Sequence, residues 1–162
     1  MRKSTLLAAG LVANLLVCGA AAAHDAGHYA LDFRQAPPGT LAWGQLAKVG
    51  IVIGDSAASP NFLPPLRAME GKSVVLYGYM TAKPGQLRQK RFLLSPRPIF
   101  CSGCAPVGRQ EVVEVVLDRP MPVQQAPLAV QGKLALLAND PQGLLFRLER
   151  ASMRPRTRHL DH

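Results

Sequence analysis

From Lys72 onward, apolar residues recur with a period of two, and that pattern predicts five strands. In the first, Val74, Leu76, Gly78 and Met80 share one face, and Val75, Tyr77 and Tyr79 share the other. Lys83-Pro84-Gly85 predicts a turn, and Arg91 to Ser95 a second strand around Phe92, Leu93 and Leu94. Glu111 to Leu117 is the third, with Val113, Val115 and Leu117 set against Val112, Glu114 and Val116. Pro120 and Pro122 are expected to end it, because proline cannot donate to a ladder. In the fourth, Leu128, Val130, Leu134 and Leu136 alternate with Gln131 and Lys133, and Gly132 predicts a bend. Asn139-Asp140-Pro141-Gln142-Gly143 is a turn, after which Leu144, Phe146 and Leu148 alternate with Arg147 and Glu149 in the fifth.

Ahead of the strands the period changes. Gln35 to Gly39 is a loop, and residues 40–49 carry Leu41, Trp43, Leu46 and Ala47 at helical spacing, with Thr40 as N-cap. Trp43 is expected to anchor the core. Residues 54–65 are rich in turn formers, and Leu66 to Met69 lead into the first strand. Two strands contain an interior glycine, which lets a strand bend where a small barrel turns its corner. The expected fold is mainly β: a small five-stranded antiparallel barrel of the oligonucleotide/oligosaccharide-binding (OB) type, with a short N-terminal helix. An open sandwich or a meander would give nearly the same pattern. The loop between the second and third strands then sits at a barrel mouth.

The first residues read as a targeting segment. Arg2-Lys3 is a charged start, Leu6 to Val17 an apolar stretch, and Ala21-Ala22-Ala23 a small-residue cleavage site. The apolar stretch is short for a membrane span. Residues 1–23 are therefore expected to be a secretory signal, 24–39 a flexible segment, 40–152 the β-domain and 153–162 a basic tail. Val17 before Cys18 is a poor match to a lipoprotein signal, so cleavage after Ala23 is the expected outcome. His24 then starts the mature chain, Cys101 and Cys104 remain, and the formal charge falls from +9 by the two cations Arg2 and Lys3. Export to a periplasm means an oxidising setting, in which neighbouring thiols close into a disulfide unless reduced or metallated.

Those two cysteines form Cys101-Ser102-Gly103-Cys104, fenced by Pro96, Pro98 and Pro106. Three prolines stiffen the loop, which suits any task that holds two sulfurs at a fixed distance. Two thiolates are half of a tetrahedral zinc site, and soft sulfur favours Zn(II) or Cu(I). The four histidines lie at the ends, His24 and His28 beside Asp25, and His159 and His162 beside Asp161. They are the candidate remaining ligands; the plainer reading makes them solvated tail residues. A redox role is a second reading, although no helical pattern follows Cys104, and Arg97 and Arg109 would have to stabilise the thiolate. A structural disulfide shaping a protein-binding loop is a third. So short a loop restricts the unfolded chain little.

Other classes are poorly supported. At 6% aromatic content the chain has few platforms for stacking bases, so the basic balance does not predict nucleic-acid binding. For an exported protein the cations instead suggest anionic lipid, acidic glycans or acidic protein partners; Arg147, Arg150, Arg154, Arg156 and Arg158 read as a solvated tail that could touch anionic lipid. No Gly-x-Ser-x-Gly, His-Glu-x-x-His, P-loop or dinucleotide fingerprint is present.

Leu41-Ala42-Trp43-Gly44-Gln45-Leu46, Leu66 to Val74, Gly78-Tyr79-Met80, Phe92-Leu93-Leu94-Ser95-Pro96 and Glu111 to Val115 together carry a family resemblance. Over roughly residues 40–150 the chain resembles a family of uncharacterised bacterial exported proteins and lipoproteins, a small β-domain of unknown function. The resemblance implies an envelope location, a β-rich fold and an association with transport or metal-handling proteins. It implies no catalytic residues.

Overall fold

The computed structural model describes residues 31–53, 58–100 and 106–155. A hairpin of β1 (Val49–Ile53) and β2 (Ala58–Phe62) precedes the long strands β3 (Ser73–Thr81), β4 (Arg88–Ser95), β5 (Val113–Pro122), β6 (Leu128–Leu136) and β7 (Phe146–Arg154). The long strands close into a barrel in the order β3-β4-β5-β7-β6, the five-stranded OB-like architecture expected from the alternation. The expected wholly antiparallel pairing is corrected: β7 enters between β5 and β6 and runs parallel to β5, from Val113↔Phe146 to Leu117↔Ala151. An up-down alternation cannot close around an odd number of strands, so one neighbouring pair has to be parallel.

The inward faces carry the predicted apolar residues. Leu76, Leu94, Val113, Val115, Val130, Phe146 and Leu148 are fully buried. Burial of each such side chain stabilises the fold by roughly 1.5–3 kcal/mol before the entropy of ordering it is subtracted. The outward face of β3 is covered too. Val75 and Tyr77 form a second cluster with Ala129, packed by Leu31 and Ala36, and the Phe33 ring meets Tyr77 edge-on at 6.4 Å. Residues 31–36, within the segment expected to be flexible, thus lie on the barrel, with a 3-10 turn at Phe33–Gln35.

Gly78 is where β3 changes partners. Residues up to Gly78 pair with β6, and from Tyr79 the strand pairs with β4 through Ser95. A Cβ on Gly78 would lie 2.5 Å from the Ser95 carbonyl oxygen and 3.0 Å from Trp43 Cζ2. Trp43 fills the corner and donates its indole N–H to the Tyr77 carbonyl at 2.8 Å. The second corner is at Gly132, whose Cβ would meet the Glu149 carbonyl at 3.0 Å. There the register between β6 and β7 slips, and Arg150 adopts φ 49°. This is a bulge of the kind that bends a barrel strand.

Three local expectations are corrected. The helix α1 is only Trp43–Leu46 with Ala42 at its N-cap; Thr40 instead donates its hydroxyl to the Pro37 carbonyl and bridges to Val75. The chain after α1 is β1, because Val49, Ile51, Val52 and Ile53 are β-branched and favour an extended backbone. A second short helix, α2 (Pro64–Arg67), follows the hairpin. Finally, β5 runs through Pro120 to Pro122 rather than ending before them. Beyond Leu117 it has no register with β7 and pairs only with β4, at Arg88↔Pro122 and Gln89↔Met121. A one-sided strand tolerates the missing N–H.

Gly78→Ala is expected to lower unfolding stability by about 2 kcal/mol, since a backbone carbonyl cannot move aside for the methyl group. Gly44, with nothing within 4 Å of its would-be Cβ, sits in α1, and Gly44→Ala should be neutral or slightly stabilising. Urea denaturation of both variants provides the check. Equal midpoints would show that the corner is not close-packed.

Candidate functional site

The loop that carries Cys101 and Cys104 leaves β4 at Ser95 and returns at β5, at one end of the barrel. The two cysteines lie outside the described residues, as do His24, His28, His159 and His162. Among the described residues no group of three or more His, Cys, Asp or Glu side chains is arranged to hold a metal ion. The structure does describe both sides of the loop's neck.

Five hydrogen bonds brace that neck. The Arg97 guanidinium forks onto the Glu111 carboxylate, Nη1 to Oε1 at 3.1 Å and Nη2 to Oε2 at 3.0 Å. Nη2 also donates to the Pro106 carbonyl at 2.6 Å, and the Gly108 N–H donates to Glu111 Oε2 at 3.0 Å. On the outgoing side, the Ser95 hydroxyl donates to the Arg97 carbonyl at 2.7 Å. Glu111 is delivered by a 3-10 turn, Arg109–Glu111, immediately before β5. The pair is about three-quarters buried, and bidentate geometry at that depth gives it more weight than an exposed ion pair. The Arg97 guanidinium holds the Glu111 carboxyl below its ordinary value, helped by the Gly108 N–H and opposed by burial.

A second tie runs sideways. Arg109 donates through Nε at 2.9 Å and Nη2 at 2.6 Å to the Gly143 carbonyl, in the turn between β6 and β7. That turn is shaped by Gly143 at φ 72° and by Asp140, whose Oδ1 accepts from the N–H groups of Gln142 and Leu144. Arg97 and Arg109, the cations that would have to stabilise a thiolate in the redox reading, are therefore engaged with Glu111 and with backbone carbonyls. Beside Arg109 lies a cavity of about 450 Å³, with Ala47, Val49, Pro60 and Leu145 as apolar walls and Gln110 at its edge.

The neighbouring wall holds a buried carboxylate that strand alternation alone does not flag as special. Glu114, 6% exposed, accepts from Arg91 Nη1 at 2.8 Å and from Arg147 Nε at 2.5 Å. Arg147 also reaches Asp140 at 3.5 Å. Glu114 lies across from Arg147 in the parallel pair, so the network joins β4, β5, β7 and the β6–β7 turn. Either arginine alone still leaves the buried carboxylate one cationic partner, Arg147 the more buried of the two and Arg91 half exposed. A signal was available: Glu114 interrupts Val112-Val113-Glu114-Val115-Val116, where a carboxylate needs a partner to be buried.

The lowered Glu111 pKa fixes the sign of a pH effect. The clamp contributes fully above the carboxyl's ordinary 4.5 and is lost as pH falls through the lower folded value. Glu111→Gln should cost about 1 kcal/mol near neutral pH, with the difference from the parent shrinking to nothing in acid. Urea denaturation across the acid range measures it. A difference independent of pH would deny the clamp an electrostatic role.

Comparison with known proteins gives one structural likeness to report. The chain is similar to a DUF3299 family protein from Pseudomonas aeruginosa PAO1, at 19% identity over 76% of this chain and 98% of that chain, with a TM-score of 0.49. No family model and no curated protein matches the sequence.

Proposed function

We propose that this protein is an exported envelope protein that binds a thiophilic transition metal, zinc or copper, through Cys101 and Cys104. The observation that carries the reading is the neck of their loop: Arg97, Glu111, Pro106 and Gly108 close it with four hydrogen bonds. A loop fixed at its base and stiffened by proline loses little entropy when its two thiolates converge on one ion. Cys-x-x-Cys supplies two of the four ligands that a tetrahedral site needs. Histidine from a terminus supplies the others, and transport or metal-handling proteins of the envelope are the fitting partners.

Chain length favours the N-terminal histidines. Leu31 packs on the cluster of Val75, Tyr77 and Ala129, and on the same face of β3 Tyr79 pairs with Ser95, where the cysteine loop begins. His28 precedes Leu31 by three residues, a reach of at most ~11 Å, and His24 by seven, at most ~25 Å. The C-terminal histidines start from the opposite end of the barrel. His159 follows Arg154 by five residues and His162 by eight, at most ~18 Å and ~29 Å, so only a fully extended tail would carry His162 the ~30 Å length of β7.

The experiment is metal titration of the reduced mature protein with Zn(II) and Cu(I), alongside a count of free thiols as isolated. One equivalent should bind, Cys101→Ser and Cys104→Ser should each abolish it, and His24→Ala with His28→Ala should weaken it roughly tenfold or more. His159→Ala with His162→Ala should leave it unchanged. A closed disulfide that takes up neither ion after reduction would sink the metal reading and favour a loop whose disulfide shapes a protein-binding surface. Thiol–disulfide turnover lost in Cys101→Ser would favour redox chemistry instead.

A further inference from the structure

We propose that the barrel end opposite the cysteine loop docks on the surface of an anionic phospholipid bilayer, with Leu87 as its inserted tip. This end gathers the β3–β4 loop, the β5–β6 loop and the last residues of β7. Leu87 is 89% exposed, and Val123 and Met153 are 40% and 43% exposed. Leu87 and Val123 are neighbours, since the Val123 N–H donates to the Leu87 carbonyl at 3.1 Å. Met153 belongs to the same end because β7 finishes against Ala129, near the start of β6.

The tip is rigid. Gln89 is 1% exposed, and its amide serves the β3–β4 loop from inside, with Nε2 donating to the carbonyls of Lys83 and Gln86 at 3.0 Å each. Gly85 at φ 79° turns the loop, and Arg88 donates to the Pro120 carbonyl at 2.7 Å, tying it to β5. An exposed leucine on a mobile loop would fold back at little cost. Here a buried side chain is used to hold the loop that displays it.

Charge identifies the occupant. Lys83, Arg88, Lys90, Arg119 and Arg154 lie in the loops and strand ends gathered at this end and are all exposed. Across residues 82–91, 118–128 and 151–155 the sequence has a single acid, Asp118. Exposed apolar side chains at the same barrel end as a group of cations suit an interface where hydrocarbon lies just below phosphate. The large exposed hydrophobics here are all aliphatic, which gives nucleic-acid bases no stacking platform. A protruding tip, rather than a flat patch with a packed centre, is also a poor match to a protein interface.

The test is cosedimentation of the full mature chain with vesicles of equimolar phosphatidylglycerol and phosphatidylcholine at low salt. Binding should appear there, be absent on pure phosphatidylcholine, and fall as salt rises. Leu87→Asp should weaken it roughly tenfold or more, as should Lys83→Glu with Lys90→Glu. Leu63→Asp, at an exposed leucine outside these loops, should not weaken it; circular dichroism confirms that each variant is folded. Failure to bind phosphatidylglycerol vesicles overturns the proposal. So does binding that ignores Leu87→Asp but disappears when residues 156–162 are removed. Equally tight binding of soluble polyglutamate would assign this end to an acidic protein instead and also overturn it. None of these outcomes depends on whether the cysteines hold metal.

Discussion

A five-stranded barrel closes only if one strand can serve two neighbours around a sharp corner, and here that strand is β3. At Gly78 it leaves β6 and takes up β4, with no room for even one methyl group between its backbone, the Ser95 carbonyl and the Trp43 ring. Trp43 makes the corner permanent. Its ring occupies the space a side chain on Gly78 would need, and its N–H satisfies the Tyr77 carbonyl one residue away. Burying the indole without that bond would leave two polar groups unpaired, each costing about 1–3 kcal/mol. With closure fixed there, the cysteine loop must emerge beside Tyr79 and the β3–β4 loop at the far end.

Much of this was legible in the period-two alternation. The inward faces of β3, β5 and β6 contain the residues that the pattern assigns to them, and Gly78 and Gly132 mark the two corners that interior glycines predict. Other features depend on partners that one strand's sequence does not name. Whether Pro120 and Pro122 end a strand depends on whether a neighbour needs their N–H, and β7 has already stopped pairing there. The hairpin β1–β2 was hidden because Gly50, Ser59, Pro60 and Asn61 resemble a turn-rich segment as much as a strand pair. Of the candidate metal site, sequence gives the two sulfurs and their proline fence. The Arg97–Glu111 clamp joins residues 14 apart and follows only from the barrel's register.

The same register sorts the charge. Three of the chain's ten acids, Glu111, Glu114 and Asp140, lie around the cysteine-loop end, and each is taken up by an arginine. Among the described residues the opposite end is left with an excess of cations and Asp118 as its acid. The positive charge of those described residues is therefore not spread evenly over the surface. A uniform basic surface would be general counter-ion attraction, falling off within about 8 Å at physiological salt. Concentrated at one end around exposed aliphatic side chains, the same charge gains directionality.

Stiffness at the two ends has different physical origins, and this bears on what each can do. The β3–β4 loop is held by Gln89, a neutral and fully buried side chain whose hydrogen bonds do not titrate. Its shape is thus indifferent to pH and salt, leaving only the surrounding cations to respond to them. The neck of the cysteine loop is held by a part-buried ion pair, and acid weakens it. Acid also protonates thiolates and imidazoles, which releases soft metals. If Cys101 and Cys104 hold an ion as proposed, loss of the clamp and loss of the ligands run in the same direction, and the ion would be favoured twice at neutral pH: by deprotonated donors and by a closed loop neck.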